Sequence, residues 1–205
     1  MHISEGVLPP SVLFGGAALG LIGVGMGLKK MQQHEVPLVG LLTAAFFVAS
    51  LIHVPLGPVS GHLVLNGLVG LIISWACFPS LLVALLLQAL FFQYGGITVL
   101  GVNTLNMALP ALLLSLACRP LIRRNSRLLN GLGAFVAGGG AVLGSGLMVA
   151  GCLTLAGEAF IPAAKAVLAA HIPIMLIEGL VAVFAIGFIK RVKPEMLFPH
   201  GADNK

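Results

Sequence analysis

Seven apolar stretches, at 11–28, 37–53, 63–78, 79–93, 104–118, 129–156 and 166–189, run through the chain with only short polar or Pro/Gly breaks between them. Helices built from such stretches have no polar face to turn to water, so lipid must solvate them. The composition agrees: 59% of residues are hydrophobic, 8% are charged, and 27 glycines and 12 prolines are spread along the chain, as in polytopic membrane proteins. The pattern predicts an all-α fold of about seven transmembrane helices. A 16-residue stretch such as 63–78 rises about 24 Å against a hydrocarbon core of about 30 Å. The third and fourth spans, divided at Phe78-Pro79, are therefore the tightest fit. With no internal repeat or long linker, the sequence reads as one domain over 1–198 with a flexible tail over 199–205.

Charge sets the orientation. Glu5 and no Lys or Arg precede the first apolar stretch, while Lys29 and Lys30 follow it, the reverse of a cleaved signal peptide. The remaining basic clusters, Arg119, Arg123, Arg124 and Arg127 after the fifth span and Lys190, Arg191 and Lys193 after the seventh, fall on the same side as Lys29. That side is expected to be cytoplasmic, with the N-terminus outside and the C-terminus inside. The net charge of +5 is then an orientation signal; there is no basic stripe with interleaved aromatics and no nucleic-acid partner. Cys77, Cys118 and Cys152 stand singly in apolar stretches without a CxxC pair and are expected to pack as small apolar residues.

This topology gathers residues 1–10, 53–62, 94–103 and 157–165 at the outer face, with three of the six histidines, His2, His53 and His62, among them. A chain beginning Met1-His2 offers one ion three nitrogens: the α-amine, the amide of residue 2 and the His2 imidazole. Such donors suit nickel, cobalt, copper and zinc, and a deprotonated amide favours a planar set of four nitrogens. The fourth ligand is sought in His53-Val-Pro-Leu-Gly-Pro-Val-Ser-Gly-His62, where Pro55, Gly57, Pro58 and Gly61 forbid continuous helix and fix tight turns. His62 is the better candidate, since Ser60 and Gly61 leave room for an ion. His53 is either an alternative ligand or a group hydrogen-bonded to a ligand ring. Asn103, just before an apolar run, either caps the fifth helix or approaches the metal loop, and the Gly-rich stretch around it could dip into the membrane. Asn66 and Asn106 are expected to hydrogen-bond between helices. Glu178 shares a helix face with His171; as an ionisable residue inside the bilayer it is expected either to make an interhelical hydrogen bond or structural ion pair or to serve transport, but not to ligate. Gly16, Gly20, Gly23 and Gly27 give the first span a small-residue face for close helix contact.

No GxxxxGK[S/T] loop occurs, so the chain cannot hydrolyse ATP itself. Ser145 between two glycines, with His171, is a poor imitation of a hydrolase, and no two facing mid-span histidines exist to ligate haem. The expectation is a transport protein, not an enzyme, without a catalytic cofactor.

Four ordered motifs carry a resemblance: Met1-His2-Ile-Ser-Glu5-Gly6; Gly57-Pro58-Val-Ser-Gly-His62-Leu; Gln93-Tyr-Gly-Gly-Ile-Thr-Val-Leu-Gly-Val-Asn103-Thr-Leu-Asn106-Met107; and Ile172-Pro173 followed by Glu178-Gly179. From residue 1 to about 190 the chain resembles the NikM/CbiM family, the substrate-specific membrane subunits of nickel and cobalt energy-coupling factor transporters. The resemblance implies a seven-helix bundle into which the N-terminus inserts. It implies metal held by the Met1 amine, the amide and imidazole of His2, and His62. It also implies partners: a transmembrane coupling (T) subunit, cytoplasmic ABC ATPase subunits, a small accessory membrane subunit and the lipid of a bacterial inner membrane. The transported ion is expected to be Ni2+, or else Co2+ supplied to cobalamin biosynthesis; a self-sufficient secondary metal transporter is the remaining alternative.

Overall fold

The computed structural model describes residues 2–56 and 59–197, with the side chains of residues 53–61 excepted. Seven α-helices make up the described fold: α1 Pro10–Lys30, α2 Val36–Ala49, α3 Asn66–Ile73, α4 Cys77–Phe92, α5 Leu100–Arg123, α6 Arg127–Ala156 and α7 Ile161–Val192. One antiparallel hairpin, β1 His53–Leu56 and β2 Val59–His62, pairs His53 with His62 in the stretch expected to be a turn-rich loop. The protein is thus a polytopic, all-α, multi-pass membrane protein, with α1, α5, α6 and α7 each long and apolar enough to cross a bilayer. The tail expected over 199–205 lies outside the described residues.

Local chemistry explains the ends of the helices. Pro10 opens α1 at a position whose N–H would be unpaired anyway, and Lys29 and Lys30 sit in its last turn, where positive charge suits the helix dipole. The glycine face of α1 is spent inside the chain. A Cβ on Gly20 would lie 2.7 Å from the Gly101 carbonyl of α5, one on Gly23 would lie 2.2 Å from the Phe78 ring, and one on Gly27 would lie 2.6 Å from the Trp75 carbonyl. In α6 and α7 the same device lets Gly138 and Gly139 meet the Glu178 and Met175 carbonyls, and Gly179 the Phe135 ring.

The expected third span is not a full span. α3 has eight residues, about 12 Å of rise, and runs alongside α5 from Met107 toward Arg119. Asn66 Nδ2 donates to the Met107 carbonyl at 2.9 Å, and Gly70 packs on the Ala111 carbonyl. The break between α3 and α4 falls at Ser74, in the left-handed region at φ 51°, and not at Phe78-Pro79. Pro79 is accommodated in the first turn of α4, where helices tolerate proline. α4 then climbs back, from Cys77 beside Ala108 to Gln88 beside His2.

A helix that starts inside a bundle leaves its first amides without water to satisfy them. The amides leading into it face the same problem, and Glu178 of α7 meets them: its carboxylate accepts from the Val64 amide and, at 3.0 Å to each oxygen, from the Leu65 amide, while within the first turn Asn66 Oδ1 accepts from the Gly67 amide at 3.0 Å. At the other end of α3, Arg119 of α5 donates to the Leu71 carbonyl at 3.3 Å. A carboxylate at the N-terminal end and a guanidinium at the C-terminal end both complement the helix dipole. The intramembrane glutamate thus has a structural partner set, and of the roles open to it from the sequence the interhelical hydrogen bond is the one seen. His171 is satisfied separately, donating Nδ1–H to the Val167 carbonyl one turn back at 2.5 Å. Asn66 bridges α3 to Ser145 of α6 at 2.9 Å, Asn106 meets Cys152 at 3.8 Å, and Cys77 and Cys118 are buried.

Candidate metal centre

The N-terminal segment from residue 2 is folded back against the bundle. Residues 2–9 lie over the end of the molecule that also carries the hairpin and the 93–99 loop, opposite the basic residues Lys29, Lys30, Arg123 and Lys190. Ile3 and Leu8 are buried in an apolar cluster with Val99, Val102, Val149, Ala150, Leu153 and Ala164 from α5, α6, α7 and the loop before α5. Removing each of those two side chains from water is worth about 1.5–3 kcal/mol.

Backbone bonds then fix the register. Asn103, 2% exposed, accepts from the Ile3 amide at 3.1 Å and returns its Nδ2–H to the Ile3 carbonyl at 3.1 Å, as a neighbouring strand would. The Glu5 amide donates to the Gly95 carbonyl at 3.3 Å, and the Glu5 carboxylate accepts from the Thr98 amide at 2.9 Å. That bond holds the Glu5 carboxyl below its usual range. Gly95 and Gly96, at φ 77° and 140°, allow this approach; a Cβ on Gly96 would lie 2.1 Å from Glu5 Cγ. Asn103 is therefore the clamp on the N-terminal segment and not the cap of α5, which starts earlier, at Leu100, than the expected span. The 93–99 stretch is a loop of turns with no helix of its own.

Two of the expected ligands meet. The His2 ring stacks on His62 with centroids 5.4 Å apart and planes 28° apart, and Tyr94 flanks it at 5.8 Å. Two nitrogens on one ion, each bonded at about 2.0–2.1 Å, lie within about 4 Å of each other. The two ring centres, 5.4 Å apart, are near that scale. Burial above all holds the His2 pKa well below that of an ordinary imidazole, and the charge of its neighbours, His62 among them, adds to the effect. A ring that stays neutral keeps a lone pair for a metal. Among the described residues no three His, Cys, Asp or Glu side chains gather as a metal cluster. Met1 and the His53 side chain lie outside the described residues; the His53 backbone pairs with His62.

Two residues that sequence reasoning passed over are hydrogen-bonded to this arrangement. Gln88, fully buried in α4, accepts from His2 Nε2 through its Oε1 at 2.7 Å, and its Nε2 reaches Ser50 Oγ at 2.8 Å. Ser50 donates in turn to the Phe47 carbonyl in the last turn of α2 at 2.6 Å. The one amide side chain in α4 was the available signal.

The sequence matches, over residues 2–196, the family described as the cobalt uptake substrate-specific transmembrane region, CbiM. A metal transport protein of Haemophilus influenzae is 41% identical over 202 residues, covering 96% of this chain and 97% of that one. A cobalt transport protein CbiM of Sorangium cellulosum is 30% identical over 218 residues, covering 96% and 94%. The fused nickel transport protein NikMN of Rhodobacter capsulatus is 35% identical over 114 residues, which is 53% of this chain and 33% of that protein. The crystal structure of a truncated transition metal transporter superposes with a TM-score of 0.71 over 98% of this chain and 100% of that one, at 24% identity, which speaks to the fold.

Proposed function

Because this chain belongs to the CbiM family, a family of membrane components of cobalt and nickel uptake and not of enzymes, we propose that it captures one Ni2+ or Co2+ ion at its outer face. The ligands are the Met1 amine, the amide and imidazole of His2, and the imidazole of His62. The observation that carries this reading is the stacking of His2 on His62, held by a clamped N-terminal segment. The hairpin end faces outward, because every basic cluster lies at the opposite end. Nickel is favoured by the four-nitrogen planar set, and cobalt by the description of the family.

The chain has no phosphate-binding loop of its own, so inward passage is driven by cytoplasmic ABC ATPases through a transmembrane T subunit, with a small accessory subunit, in a bacterial inner membrane. The ion is cargo; no catalytic cofactor takes part. The test is calorimetric titration of the purified protein, its native N-terminus intact, with nickel and cobalt. His2→Ala and His62→Ala should each weaken binding by at least about a hundredfold, beyond the 10–100-fold typical of groups that merely support a ligand. An extension of several residues ahead of Met1 should do the same. Unchanged affinity in His2→Ala would refute the site.

A further inference from the structure

The hydrogen bonds around His2 run in one direction, and that direction is forced. A carbonyl only accepts, so the Ser50 proton goes to Phe47, and Ser50 Oγ must accept from the Gln88 amide NH2. This fixes which way round the amide sits, with Nε2 to Ser50 and Oε1 to His2. Oε1 also only accepts, so His2 donates through Nε2–H across 2.7 Å. A neutral imidazole carries one proton, so its lone pair is on Nδ1. Nδ1 is the nitrogen that can close a six-membered ring containing an ion and the amide nitrogen of His2 itself; Nε2 points away from the backbone and cannot. At His62 the opposite holds, because Nδ1–H donates to the Leu63 carbonyl at 2.9 Å and the lone pair falls on Nε2, the tip of the ring.

We infer that Gln88, oriented by Ser50, is a positioning residue that holds His2 in the Nε2–H tautomer, so that His2 presents Nδ1 to the ion while His62 presents Nε2. This inference rests on the proposed site and adds residues from α2 and α4 that touch no ion. Both are fully buried, so the arrangement stands before metal arrives. A ring whose lone pair is already on the nitrogen that ligates needs no change of tautomer on binding.

The first readout needs no metal. In the metal-free protein, nitrogen-15 NMR of the imidazoles, with the His2 signals assigned by their loss in His2→Ala, should show a protonated Nε2 and an unprotonated Nδ1. A protonated Nδ1 on His2 would overturn the inference. The second readout is nickel affinity. Gln88→Met keeps the length of the side chain but removes its acceptor, and should weaken binding by about 10–100-fold, with the His2 Nε2–H resonance losing its hydrogen-bonded shift. Gln88→Glu restores an acceptor at the same reach and should recover affinity to within a few-fold. Ser50→Ala releases the amide to turn its NH2 toward His2 and should raise the share of the Nδ1–H tautomer. Wild-type affinity in Gln88→Met while His2→Ala has lost binding would sink the role of Gln88 and leave the site standing. Wild-type affinity in His2→Ala would sink the site itself.

Discussion

Glu178 and His2 are both ionisable groups set in apolar surroundings, and both reach the same stretch of chain, residues 62–65, yet their hydrogen bonding differs in kind. Both carboxylate oxygens of Glu178 accept from the Val64 and Leu65 amides. His2 instead gives its proton to Gln88 and keeps a lone pair on the other side of its ring, toward a second imidazole. An ionisable residue within a membrane bundle is a functional candidate by default. The contrast shows how accounting for donors and acceptors separates a group that completes the fold from one prepared for a ligand.

The largest effect that can break this contrast is expected at Glu178. Glu178→Leu leaves two amides of the approach to α3 unpaired, each worth about 1–3 kcal/mol, so the loss should be about 2–6 kcal/mol. It should appear as a lower midpoint of unfolding in detergent, whereas His2→Ala and His62→Ala should leave that midpoint nearly in place while nickel binding is lost. If Glu178→Leu kept wild-type stability and lost only binding, the two groups would be of one kind and the contrast would fail.

A smaller effect is expected at Asn103. Asn103→Ala removes two hydrogen bonds to Ile3, each with a net worth of about 0.5–1.5 kcal/mol, but leaves Ile3 and Leu8 in their apolar cluster. The helices should stay folded while the N-terminal segment loosens. Amide exchange should therefore quicken at residues 3–5 and not in α5, with nickel affinity falling by about tenfold. Equal acceleration throughout α5 would make Asn103 a part of the helix core and not a clamp.

How much of this was legible differs between the same two regions. The seven helices follow from apolar stretches, because lipid imposes the pattern on every span. The half-helix does not, since residues inside the bundle and residues facing lipid are equally apolar, and hydropathy cannot tell Asn66–Ile73 from a full crossing. The reversal at Ser74 rests on its left-handed backbone, which has no signature as plain as Pro79, where the break was expected. His2 and His62 stood out because imidazoles are scarce in such a chain. Gln88 did not, being uncharged, and its role appears only when α2, α4 and the N-terminal segment converge. Asn103 looked like a helix cap because capping is local, but its partner Ile3 is 100 residues away. For Glu178 the bond type was foreseeable and the partner was not, since backbone amides belong to every residue alike.

The smallest expected effect sharpens the comparison most, because it asks whether the two groups are independent. The Val64 amide held by Glu178 is two residues from His62 and one from Leu63, whose carbonyl takes the His62 proton. Glu178→Gln keeps one acceptor oxygen and should preserve the fold, but its NH2 cannot accept, so the second oxygen's bond to Leu65 is lost. The freed segment should let the Leu63 carbonyl drift and His62 with it, lowering nickel affinity by about two- to fivefold, a coupling of about 0.4–1 kcal/mol typical of groups sharing a network. A double-mutant cycle with His62→Ala separates this from direct ligation: once His62 is gone, Glu178→Gln should cost the residual affinity nothing further. An undiminished cost in that background would mean that Glu178 acts on the centre by a path that bypasses His62.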